Sequence, residues 1–214
     1  MSRINYSIKN IKYAVFGQVF ALIISFFSRM VFVNTLGSEY LGLNGLFTNI
    51  LSMLSLAELG VGSAMVYSMY KPLAENDYKK LNSLMSLYRK AYILIGTIIA
   101  IMGLSITPFL NYLIKDMPDI NEINLIYVLY IINTSISYFY SYKRSLVIAD
   151  QKRFVATFYR YFFYFIVNLL QIFILITTRN YILFVVIQLI GTLIENILVS
   201  KKVEIGRASC RERV

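Results

Sequence analysis

Apolar residues in this chain do not alternate with polar ones at a period of two. They come in long unbroken runs parted by short polar joints. A helix needs about 20 apolar residues, at 1.5 Å each, to cross a hydrocarbon core about 30 Å thick. The runs meet that length again and again. They predict six apolar helices, over 13–36, 43–70, 91–114, 123–142, 161–178 and 181–200. The joints carry turn chemistry: "LGSEYLG" at 36–42, "KPLAENDYKK" at 71–80, "KDMPD" at 115–119, "YKRSLVIADQKR" at 142–153 and "TRN" at 178–180. The first run is too long for a signal-peptide core, and no small-x-small cleavage site follows it. It reads as an uncleaved span. Within 76–90, Leu81, Leu84, Met85 and Tyr88 fall at helical spacing among Lys and Arg. That stretch is expected to lie along the membrane surface or to extend the third span.

Composition agrees with the pattern. Of 214 residues, 58% are hydrophobic and 15% charged, against about 25% charged in a soluble domain. Mean hydropathy is +0.64. The expected class is all-α and polytopic, a membrane-embedded lobe of six helices. There is no His, no Trp and one Cys, which leaves no material for disulfides, zinc sites, or imidazole or thiol catalysis. No Gly-rich phosphate loop, metal-ligand spacing or Ser–His set is present either. Neither an enzyme nor a cofactor is expected.

Charge sets the orientation. The segments 1–12, 71–90, 143–160 and 201–202 hold fifteen Lys and Arg, and the alternate joints hold only Lys115 and Arg179. Asp116, Asp119 and Glu122 outweigh Lys115. By the positive-inside rule, both ends of the six-helix unit face the cytoplasm. The net charge of +10 therefore sits beside membrane spans. It suits anionic lipid headgroups as partners rather than nucleic acid.

The last eleven residues, "EIGRASCRERV" at 204–214, differ from everything before them. Read as codons they match a common short-read sequencing adapter without a mismatch. The expectation is that 205–214 are not native, that Glu204 is a junction codon, and that Cys210 carries no redox meaning. Dropping Arg207, Arg211, Arg213 and Glu212 leaves a net charge of +8. Residues 1–203 are then the front part of a longer protein.

Ionisable groups inside a bilayer are costly and call for a role. Three fall within the spans: Arg29, Glu58 and Glu195. Glu195 is placed near the end of the last span, within reach of water. At 100° per residue, Gln18, Ser25 and Arg29 share one face of the first span. Asn44, Thr48, Ser55, Glu58 and Gly62 share a face of the second. The fourth groups Asn133, Ser137 and Arg144; the fifth Tyr161, Tyr164, Asn168 and Gln171; the sixth Tyr181, Gln188, Thr192 and Glu195. A polar stripe on five of the six helices predicts a shared water-filled cavity with Arg29, Gln18, Ser25, Glu58, Asn133, Asn168 and Gln188 as its candidate substrate-binding residues. Ala57, Gly60, Ala64 and Ser68 form a small-residue face suited to close packing. Arg29 lies about 10 Å, and Glu58 about 22 Å, from the outer ends of their spans. A direct ion pair stays open, and so does a free cation for an anionic ligand.

Four stretches carry a resemblance: "TLGSEYLGLNGLF" at 35–47, "LAELGVGSA" at 56–64, "YKPLAENDYKK" at 70–80 and "YKRSLVIADQKR" at 142–153. Over residues 1–203 the chain resembles bacterial oligosaccharide and capsular-polysaccharide flippases. These belong to the multidrug/oligosaccharidyl-lipid/polysaccharide exporter superfamily. The resemblance implies two lobes around a central cavity, of which 1–203 is the N-terminal one, so a C-terminal lobe is an expected partner. It implies a location in the bacterial cytoplasmic membrane. It also implies flipping of lipid-pyrophosphate-linked glycan repeat units by alternating access, with Arg29 suited to the pyrophosphate. A cation antiporter of the same superfamily is the alternative. An enzyme of glycan assembly is the alternative from another class.

Overall fold

The computed structural model describes residues 3–58, 60–114, 122–151 and 153–211, and among them there is no strand. Among the described residues, five helices are long and apolar enough to cross a membrane. These are α1 (Arg3–Leu36), α4 (Tyr78–Ile106), α6 (Ile123–Ala149), α7 (Arg153–Thr178) and α8 (Tyr181–Arg211). The protein is thus a polytopic all-α membrane protein. Several helices start or end well beyond the runs that predict them, because their polar ends stay helical. Of the stretch 76–90, residues 78–90 belong to α4 and extend it. Asp77 starts that helix, its carboxylate accepting from the Lys80 backbone N–H at 2.9 Å. Pro108 stops it, and a 3-10 turn (Thr107–Phe109) leads into the short α5 (Leu110–Leu113). Lys115, Asp116, Asp119 and Lys152, on which the charge pattern draws, lie outside the described residues. So do the last three residues of the tail and the side chains of the rest of it.

The second span departs most from its expected form. It is two helices, α2 (Ser38–Leu54) and α3 (Val61–Ala74), with a 3-10 turn at Ser55–Glu58 between them. Gly60 takes φ +86 at the start of α3, a left-handed conformation that costs a glycine little. The Ser55 hydroxyl bonds back to the Leu51 carbonyl at 2.7 Å. Such back-bonding competes with the helical ladder. The two halves still make one crossing. On α2, Phe47 packs on Tyr127 and Tyr130 near the start of α6. On α3, Met65 and Met69 cluster with Leu146 and Ala149 at its far end.

The cross-helix pairs set the directions. Tyr13 meets Phe154 and Phe158, the Tyr161 hydroxyl donates to Gln18, and Phe20 meets Phe165. Both numbers rise together, so α1 and α7 run parallel. The contacts Tyr130–Tyr181 and Arg144–Glu195 make α6 and α8 parallel too. Gly103 against Ile131 and Gly96 against Phe139 make α4 antiparallel to α6. The bond from Gln171 to the Phe184 carbonyl and the contact of Gly191 with Val167 make α8 antiparallel to α7. One end of the bundle therefore gathers the start of α1, the α3–α4 turn, the α6–α7 turn and the later part of α8. These are the segments that carry the Lys and Arg clusters, and we call this the basic end.

Between helices that lie in lipid, close packing drives association more than the hydrophobic effect does. Here glycine permits it. A Cβ on Gly17 would sit 2.0 Å from the Tyr161 ring, and one on Gly191 2.1 Å from a Val167 methyl. The expected small-residue face of the second span does not serve this purpose. Gly60 has open space around it and Ala64 is exposed. Ser68 bonds instead to the Tyr88 hydroxyl and the Met65 carbonyl. The side chain of Ala57 lies outside those described.

Candidate functional site

Four helices turn their polar stripes toward one hollow. Its far part, about 300 Å³, is lined by Ser25, Ser28 and Arg29 of α1, Asn44, Thr48 and Asn49 of α2, and Asn168 of α7. Its part toward the basic end, about 350 Å³, is lined by Arg160, Tyr164, Asn168 and Gln171 of α7 and by Gln188, Thr192 and Glu195 of α8. Asn44, Asn168 and Phe184 line both, so the two parts join.

Neighbouring helices hold the lining side chains in place. The Tyr130 hydroxyl donates to the Asn44 carboxamide oxygen at 3.0 Å. That leaves the amide nitrogen of Asn44 to the hollow. Gln171 is buried and donates to the Phe184 carbonyl at 3.1 Å, tying α7 to α8. Asn168 donates to the Tyr164 carbonyl at 2.8 Å. Thr48 and Thr192 bond to the carbonyls of Asn44 and Gln188 in their own helices. Amide and hydroxyl groups at these positions suit a ligand rich in hydroxyls.

The charged groups decide the sign of the cavity. Arg29 and Arg160 are exposed to it, and neither makes an ion pair or hydrogen bond with another described residue. Glu195 is not the water-reaching group expected from its position. Its side chain is only 15% exposed and pairs with Arg144 of α6, which also donates to Asn196. The pair cancels the one carboxylate among the described lining residues. Two guanidinium groups remain.

Of the expected residues, Arg29, Ser25, Asn168 and Gln188 line the hollow together. Gln18 does not; it accepts from the Tyr161 hydroxyl at 2.9 Å in the seam between α1 and α7. Glu58 does not either. The break before α3 turns it toward α4, where the Tyr92 hydroxyl donates to it at 2.6 Å. No ion pair joins Arg29 to Glu58. Asn133 lies within α6 with its side-chain oxygen buried and unbonded among the described residues. Ser28, Asn49 and Arg160 are polar lining residues that the expected stripes do not contain. Arg160 falls on the stripe of Tyr164, Val167 and Gln171 at helical spacing. It reads as a loop cation only if α7 is taken to begin at 161.

A family model described as MatE matches residues 14–174. The chain belongs to the MatE family. That membership places it among transporters of the exporter superfamily named above. The MatE match runs from α1 to near the end of α7 and takes in Arg29, Asn44, Arg160 and Asn168. No curated protein and no solved structure matches the chain.

Proposed function

We propose that this MatE chain is the N-terminal lobe of a flippase that moves lipid-diphosphate-linked oligosaccharide repeat units across the bacterial cytoplasmic membrane. One observation carries the reading: among the described residues, two guanidinium groups line the cavity without a partner, and the one lining carboxylate is neutralised by Arg144. Guanidinium stays charged and offers parallel donors to phosphate oxygens. The surrounding amides and hydroxyls suit the sugar. A cation antiporter would want an unpaired carboxylate in the cavity, and Glu58, the candidate for it, is engaged by Tyr92 elsewhere.

The basic end then faces the cytoplasm, as the Lys and Arg clusters demand. Residues 204–214 are an adapter-derived tail on this reading, and a second lobe follows 203. Resequencing the locus tests that part: an in-frame genomic copy of the tail removes it. The function itself is tested by Arg29→Ala in the full-length gene, expressed in a flippase-null strain. Export of the glycan is expected to be lost at near-normal protein abundance, and Arg29→Lys to restore it in part. Full export by Arg29→Ala refutes the reading.

A further inference from the structure

We infer that the cavity holds two separate anion sites, and that Arg160 is the centre of the second, at the basic end. The inference rests on the flippase reading in taking a diphosphate group as the ligand.

The two arginines are far apart. Tyr13, Gly17 and Phe20 of α1 lie level with Phe154 to Phe158, Tyr161 and Phe165 of α7. Arg160 is thus level with about residue 16 of α1. Arg29 lies about thirteen residues further along, or about 20 Å at 1.5 Å per residue. A single diphosphate cannot bridge that distance.

Across the cavity, α8 runs antiparallel to α7. Gln171 is level with Phe184, and Val167 with Gly191. These pairs put Arg160 level with residues 195–198, the turn that opens with Glu195. A carboxylate on a facing helix is the natural partner for a guanidinium, yet Glu195 turns to Arg144 on α6. Arg144 therefore acts as a positioning residue. It draws the carboxylate away and leaves Arg160 facing a cavity in which Tyr164, Gln188 and Thr192 supply neutral polar groups. An anion arriving from the basic end meets Arg160 first. Arg29 is the second station, past the midpoint.

The chain, reconstituted in nanodiscs of zwitterionic lipid, tests this by titration with inorganic diphosphate and with a short prenyl diphosphate. Two sites are expected in the parent chain and one each in Arg29→Ala and Arg160→Ala. None is expected in the double variant. The affected site should weaken about tenfold or more, the scale of one lost charge-assisted bond. Sites this far apart should behave independently. Arg160→Lys should keep its site in weakened form, which a merely structural loss would not do. Arg144→Ala should weaken only the Arg160 site, because Glu195 is then free to take Arg160. Adding Glu195→Ala should restore it. A single site that is lost in Arg29→Ala and unchanged in Arg160→Ala overturns the inference and leaves the flippase reading standing. No binding of either probe by the parent chain overturns both.

Discussion

The Tyr92 hydroxyl donates to the Glu58 carboxylate at 2.6 Å, across the break between α2 and α3. The bond joins the third crossing to the weakest point of the second. A carboxylate stripped of its donor in a half-buried site loses a charge-assisted hydrogen bond, worth about 1.5–3 kcal/mol. Tyr92→Phe should therefore lower the thermal midpoint in detergent. Glu58→Gln should lower it less, because the amide keeps an acceptor for Tyr92 and drops the charge. An unchanged midpoint in Tyr92→Phe would remove this bond from the account of stability.

Gly17→Ala should loosen α1 from α7. The new methyl would meet the Tyr161 ring at 2.0 Å, and overpacking of this kind costs about 1–3 kcal/mol. Gly42→Ala is the control, since nothing lies within 4 Å of its Cβ position. It should be neutral or more stable by about 0.5–1 kcal/mol, the usual gain of Ala over Gly in a helix. Equal behaviour of the two variants in a melting series would refute the close-packing role of Gly17.

Much of the cavity can be read from periodicity alone. Ser25 with Arg29, Asn44 with Thr48, and Gln188 with Thr192 fall on their faces at 100° per residue, and the structure keeps them there. What the local pattern cannot carry is the relation between helices. Glu195 pairs with Arg144, 51 positions away, because α6 and α8 run parallel at that register. Glu58 leaves the stripe of Asn44 and Thr48 because α2 ends at Leu54 and the chain tightens into a 3-10 turn over Ser55–Glu58, so the phase of the helix is lost there. Arg160 joins the cavity because α7 begins at Arg153, where a run of aromatic and basic residues looks like a membrane surface.

Arg144→Ala alone should reduce protein abundance. It would cost the largely buried Glu195 its pair on α6; breaking a buried pair costs about 3–5 kcal/mol, of which a new pair with Arg160 returns only part. Arg144→Ala with Glu195→Ala should recover most of the loss. A double variant no better than the single, measured by fluorescence-detected size exclusion, would show that Arg144 acts through packing and not through charge.

Cysteine labelling in a Cys210→Ser background should separate the two ends of the bundle. A cysteine at Ser38 should react with an impermeant maleimide in intact cells. One at Lys79 should react only after permeabilisation. The opposite result would invert the orientation drawn from the basic end.

The break in the second crossing also bears on how the chain enters its membrane. α2 has 17 residues and α3 has 14, lengths of about 26 and 21 Å against a hydrocarbon core of about 30 Å. Neither half reaches across alone. The backbone groups freed between them must be covered by protein, because lipid offers them no hydrogen bonds. The five long helices can partition into the bilayer first and find their neighbours later. For this crossing, partitioning and association are one event. It completes its passage only when α4 and α6 are there to receive it.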